Sequence, residues 1–202
     1  MTEDASTGPT IEQPPAAPTP RNAFASLVFR LARELSDRGA GGVPRGELAS
    51  LRREDGARSP VFYKLAARML GEVLDGLAGE NLTEAERRWA RVVHLLAKTS
   101  GQHRPGASSF GAILADADLA EPRFLRALRA EGDALDAAVR NALAPVVQKA
   151  LGFDPVDLAA LVLSAPHRSA RFHYESADSV RRRIARDFYR AEAKQSLTTN
   201  HE

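Results

Sequence analysis

The chain has 202 residues, a formal net charge of +2 and 44% hydrophobic residues, enough to close a core in one ordinary domain. The absence of cysteine excludes disulfides, thiolate zinc sites, iron–sulfur clusters and a cysteine nucleophile. No apolar run approaches the roughly 18 to 20 residues that cross a bilayer, and an N-terminus with Glu3 and Asp4 followed by prolines is not a secretory signal, so a cytoplasmic protein with no membrane partner is expected.

Residues 1–21 read as a disordered Pro/Ala-rich leader, with Pro9, Pro14, Pro15, Pro18 and Pro20 among threonines, alanines and three acids. From Asn22 the pattern is helical: Phe24, Leu27, Val28, Leu31 and Leu35 follow the spacing of one helix face, and Gly39-Ala-Gly-Gly42 stops it. A short helix over 45–54 carries Leu48 and Leu51. Ser59-Pro60 then reads as an N-cap followed by a first-turn proline, opening a helix through Leu70. Thr83 with Glu86 three residues on has the form of a capping box, which places the next helix start at Thr83, ahead of the Trp89, Val92, Val93, Leu96 stripe. Residues 100–108 read as a polar, basic loop. Helices follow over 109–116, 121–131 and 133–151, the last interrupted by Pro145. Asp154-Pro155 opens another over 156–164, Pro166 breaks it, and a closing helix covers 176–193. No segment alternates long enough to be a strand. The expected fold is all-α, a helical bundle or two small packed sub-bundles over 22–195, with a flexible tail at 196–202.

Catalytic patterns are missing. His94, His103, His167, His173 and His201 have no metal-ligand spacing, and neither a phosphate-binding glycine loop nor a nucleophile elbow is present. The acids serve as caps and helix-face partners, as Glu84 does for Arg88, so neither an enzyme nor a cofactor is expected.

What remains is base chemistry. The 28 basic residues comprise 24 Arg and 4 Lys, and none falls in the first 20 positions. A GC-rich genome produces such a bias on its own, but guanidinium is also the group that grips phosphate with two parallel hydrogen bonds. On the helix around Trp89, Arg87, Arg91, His94 and Lys98 share one face. On the closing helix Val180, Ile184 and Phe188 form the apolar stripe, with Arg181, Arg182, Arg183, Arg186 and Arg190 off it and Asp187 the nearest compensating acid. Arg52, Arg53 and Lys64 make a further basic group, Arg104 sits in the polar loop, and Arg123, Arg126 and Arg129 recur every third residue beside Phe124.

Five stretches in this order, LASLRR (48–53), SPVFYKLAARM (59–69), SSFGAILA (108–115), PRFLRALRAEGD (122–133) and VRRRIARDFY (180–189), resemble the CasB family, the small subunit of the type I-E CRISPR Cascade complex. The resemblance runs from about residue 22 to 193. Ala112 stands where the family often has a basic residue, Ile184 where it often has Trp, and segment 166–174 is longer than usual. The resemblance implies a helical, non-enzymatic subunit paired with a second copy of itself. Such a pair would lie against the backbone and large subunits of a crRNA-bound complex and touch target and displaced DNA strands. It marks Arg53 and Arg181 as leading contact residues, then Arg52, Lys64, Arg182 and Arg183; Arg91, Lys98, Arg104, Arg129 and Arg186 rest on charge. Two rival readings are a structural adaptor whose arginines make only protein contacts and, less favoured, a free-standing helical DNA-binding regulator.

Overall fold

The structure, a computed structural model, describes residues 20–36, 42–53, 59–164 and 175–199. The leader up to residue 19, the glycines at 39 and 41 and the 166–174 segment lie outside the described residues. Ten helices and one short strand are found among those described: α1 Pro20–Glu34, α2 Arg45–Arg53, α3 Pro60–Met69, α4 Gly71–Leu74, α5 Gly79–Lys98, β1 His103–Ser108, α6 Phe110–Asp116, α7 Glu121–Arg129, α8 Gly132–Gln148, α9 Val156–Leu163 and α10 Ala177–Thr199. The fold is all-α, as expected.

Several helix boundaries follow from side chains that satisfy the free amides of a first turn. Ser59 Oγ accepts from the Val61 amide at 3.3 Å, with Pro60 next in line, and starts α3. Ser109 Oγ accepts from Ala112 at 3.4 Å and starts α6. Asp154 Oδ1 accepts from Val156 at 2.9 Å and starts α9. Two helices end in the Schellman arrangement with a left-handed residue that is not glycine. After α6, Asp118 (φ 57°) and Leu119 return hydrogen bonds to Ala115 and Leu114; after α8, Ala150 (φ 51°) and Leu151 return them to Val147 and Val146.

Three expectations need correction. Thr83 does not cap α5, which begins a turn earlier at Gly79; its hydroxyl instead donates to the Gly79 carbonyl at 3.2 Å, inside the helix. A threonine that can bond back to the fourth preceding carbonyl has no need to end a helix. The polar stretch after α5 is not a loop throughout. Residues His103–Ser108 are extended, and both ends bridge to the buried Phe153, with Phe153 N donating to Gln102 O and Asp154 N to Ser108 O, each at 2.9 Å. The closing helix outruns 193 and reaches Thr199.

The buried side chains form one continuous core rather than two. Helix α9, made of Leu158, Ala159, Ala160, Leu161, Val162 and Leu163, is buried along its length and packs on α1 and α5 as well as on α6 and α10. The halves of the chain therefore share a central strut. Phe24 meets Trp89 on the α1–α5 side, Phe110 meets Phe153 beneath β1, and Phe124 stacks flat on Phe188 with ring centroids 3.9 Å apart. The last contact seats α7 on α10 and sets the geometry of the basic surface described next.

Candidate nucleic-acid interface

Helix α10 buries Val180, Ile184 and Phe188. Each further residue turns by about 100°, so its five arginines leave the helix in different directions, and their surroundings separate them into two groups. Arg181 and Arg183 lie beside the buried stripe and are taken up by the protein itself. Arg181 Nη2 donates to Glu131 Oε1 at 3.1 Å and to the Ala130 carbonyl at 3.4 Å. Arg183 meets Asp157 at 2.8 Å and also pairs with Glu175. Asp187, the acid expected to compensate Arg183, is not its partner. Arg182, Arg186 and Arg190, at four-residue spacing, face solvent. Arg182 Nε donates to Asp178 O at 3.2 Å in its own helix, and none of the three has a carboxylate within ion-pair distance among the described residues.

Tyr189 projects on the same side of α10 and is 40% exposed. Its hydroxyl donates to Glu121 Oε1 at 2.6 Å, its ring meets Phe124 edge-on at 6.0 Å, and the hydrogen bond to Glu121 raises its pKa. Arg129, exposed in the last turn of α7, is close enough for its charge to act on that phenol in the opposite sense. An aromatic ring thus shares the exposed side of α10 with three arginines, within electrostatic reach of Arg129 on α7. Tyr189 was not among the residues singled out from the sequence, although its place between Arg186 and Arg190, three residues after one and next to the other, was a signal for it.

The α2–α3 group divides in the same way. Arg52 reaches the C-terminal end of α5, donating from Nε to Ala97 O at 2.9 Å and from Nη2 to Ser100 Oγ. A cation there also meets the negative end of the helix dipole. Arg53 points outward, its Nε on Ala49 O of its own helix at 3.2 Å. Lys64 is 69% exposed and pairs with Glu47 at 2.7 Å. Helix α2 packs on α5 and α3, whereas α10 packs on α6 and α9, so this group belongs to a different part of the bundle from the α10 strip.

On α5 the expected cationic face is only partly cationic. His94 is buried, with Nδ1 2.6 Å from the Leu51 carbonyl. Arg87 and Arg91 are both held by Asp133, and Arg88 is buried against Glu84 at 2.6 Å. Lys98 alone of that face is exposed without a recorded partner among the described residues. Burial would raise the Glu84 carboxyl, but the hydrogen bonds and charges of Arg88 and Arg87 outweigh it and hold the carboxyl below its usual value. Arg104, exposed on β1, donates to His103 O at 2.8 Å and lines, with Phe29 and Arg33, a cavity of about 310 Å³.

No group of three or more metal-ligating side chains occurs among the described residues, and no described helix is long and apolar enough to cross a membrane.

The family model for the CRISPR-associated protein Cse2 matches residues 47–189. The chain belongs to the Cse2 family. That span begins at Glu47 in the first turn of α2 and ends at Tyr189, and so contains all the stretches on which the CasB resemblance rested. Among solved structures, this Cse2-family chain is similar to a chain in the crystal structure of E. coli Cascade bound to a PAM-containing double-stranded DNA target. The TM-score is 0.55 and the identity 18%, over 82% of this chain and 96% of that one, which establishes a shared fold. A search of curated proteins gave no match.

Proposed function

We propose that this chain is the non-enzymatic small subunit of an RNA-guided type I-E CRISPR surveillance complex, and that it holds nucleic-acid backbone with arginines. The observation that carries this reading is the strip on α10: Arg182, Arg186 and Arg190 exposed and without an ion-paired carboxylate among the described residues, with Tyr189 on the same side and Arg129 within electrostatic reach of it. Like charges at four-residue spacing disfavour a helix slightly, and a polyanion laid along them reverses that penalty by releasing its counterions. The Tyr189 ring offers a face on which an unpaired base can stack.

Membership of the Cse2 family and the shared fold with a chain of a DNA-bound Cascade support the assembly. The partners are then the backbone and large subunits, a second copy of this chain, the crRNA-bound complex, and the target and displaced DNA strands. Arg182, Arg186 and Arg129 lead the contact residues, with Arg53, Lys64, Lys98 and Arg104 as outlying contacts. Arg52, Arg91, Arg181 and Arg183 first serve the protein's own packing. Backbone contacts of this kind position a strand without reading its sequence. Exchange of a DNA duplex for an RNA–DNA hybrid is nearly balanced, so a few such contacts suffice to tip it.

The test is R-loop lifetime in complexes assembled with and without this subunit, over a range of salt. A strand-holding subunit lengthens the lifetime, and the effect fades as salt rises. An adaptor that makes only protein contacts changes assembly and leaves the salt dependence of the lifetime unaltered, which would refute the reading.

A further inference from the structure

Three arginines from two helices converge on one turn. Arg87 Nη1 lies 3.3 Å from Asp133 Oδ1, Arg91 pairs with the same oxygen and donates to Gly132 O at 3.1 Å, and Arg181 takes Glu131 and Ala130 O. The turn is the junction of α7 and α8, where Gly132 has φ +56°. It borders a cleft of about 900 Å³ that Arg87, Arg88, Arg181, Glu84 and Glu131 help to line. The carboxylates are far more exposed than most of the cations they hold: 84% for Asp133 and 75% for Glu131, against 12% for Arg91 and 25% for Arg181. The arginines are thus built into the wall while their acidic partners lie on the outside.

We infer that this corner is a second site for nucleic-acid backbone, which Glu131 and Asp133 cover in the free protein by standing where phosphates would bind. The inference rests on the proposed function, since it concerns the same ligand. Ion pairs with one partner this exposed are weak, so a phosphodiester chain can displace them. The guanidinium fork accepts phosphate as readily as carboxylate. Asp133 sits in the first turn of the 17-residue α8, where the helix dipole favours any negative charge, phosphate included. Arg181 Nε is buried without a hydrogen-bond partner, a donor that the present arrangement leaves unused. The turn therefore acts as an electrostatic cover that keeps the isolated chain from binding stray nucleic acid and yields where strand concentration is high.

The test uses the full-length chain and a fluorescein-labelled single-stranded oligothymidylate at low ionic strength. Glu131→Gln with Asp133→Asn is expected to tighten binding several-fold and to steepen the dependence of log K on log salt by about 0.7 for each phosphate newly held. Glu72→Gln with Asp75→Asn, which removes the same charge from exposed positions at α4, serves as the control. An equal improvement in the control, or none in the corner variant, overturns the inference. Should loss of Asp133 unsettle α8, Glu131→Gln alone decides, since it leaves Asp133 in place and frees only Arg181. Absence of binding by both the wild-type chain and the corner variant counts against the strand-holding reading as well, whereas wild-type binding that the corner variant fails to improve sinks this inference alone.

Discussion

A Cβ placed on Gly111 would lie 2.1 Å from the carbonyl oxygen of Ile184. Helices α6 and α10 therefore meet backbone to backbone, and this is the most extensive helix contact among the described residues. It fixes the rotation of α10 about its axis, and with it which arginines face outward. Gly111→Ala is expected to cost about 2–4 kcal/mol, because backbone on both sides must shift to admit one methyl group. Urea unfolding of the variant checks this; a loss below about 0.5 kcal/mol would mean that the helices adjust freely.

Ala150 holds a left-handed conformation at the end of α8, where glycine is normally found. An L-residue with a Cβ loses about 1–2 kcal/mol in that region, so Ala150→Gly should raise stability by about 1 kcal/mol, seen as a higher melting temperature. Asp118, in the same position after α6, pairs with Lys149, so Asp118→Gly should be close to neutral.

Adjacent Arg52 and Arg53 should separate in their effects. Replacing Arg52 with Met removes hydrogen bonds to Ala97 O and Ser100 and should cost about 1–2 kcal/mol of stability. The same change at Arg53, whose hydrogen bond among the described residues stays within its own helix, should stay within about 0.5 kcal/mol. Thermal melts of the two single variants make the comparison.

Burial pushes the His103 imidazole down to about 4, and the Arg104 charge adds to that against a raising contact from the Ala32 backbone. An unfolded histidine titrates near 6.5. Between those values the unfolded chain holds a proton that the folded chain refuses, so stability is complete above about pH 6.5 and falls as pH drops toward 4. The decline should be about 3 kcal/mol, and His103→Phe should flatten it. Denaturant titrations from about pH 7 to about pH 4 measure both.

The sequence carried most of the fold because helix signals are local. Ser59-Pro60, Asp154-Pro155 and the Val180, Ile184, Phe188 stripe each declare themselves within a few residues, and the structure places them as read. The extended segment 103–108 was hidden because its partner is a single residue, Phe153, reached forty-five or more positions later, so no alternating pattern is required of it. Thr83 misled because a hydroxyl that caps one helix can equally bond inside another.

The site was legible as charge and not as geometry. Arg181 and Arg182 are neighbours in sequence, yet about 100° of helical turn sends one to Glu131, fifty residues away, and the other to solvent. Only tertiary structure separates them. The same holds for Arg91, whose partner Asp133 comes forty-two residues later.

The central claim is that the outer face of α10 carries nucleic acid, and the decisive measurement is the salt dependence of target binding by complexes containing Arg182→Glu with Arg186→Glu. The account predicts normal assembly, weaker binding for every target sequence, and a log K against log salt slope reduced by about 1 for each phosphate contact removed. Assembly, affinity and slope all indistinguishable from those of the wild-type complex at physiological salt would contradict it.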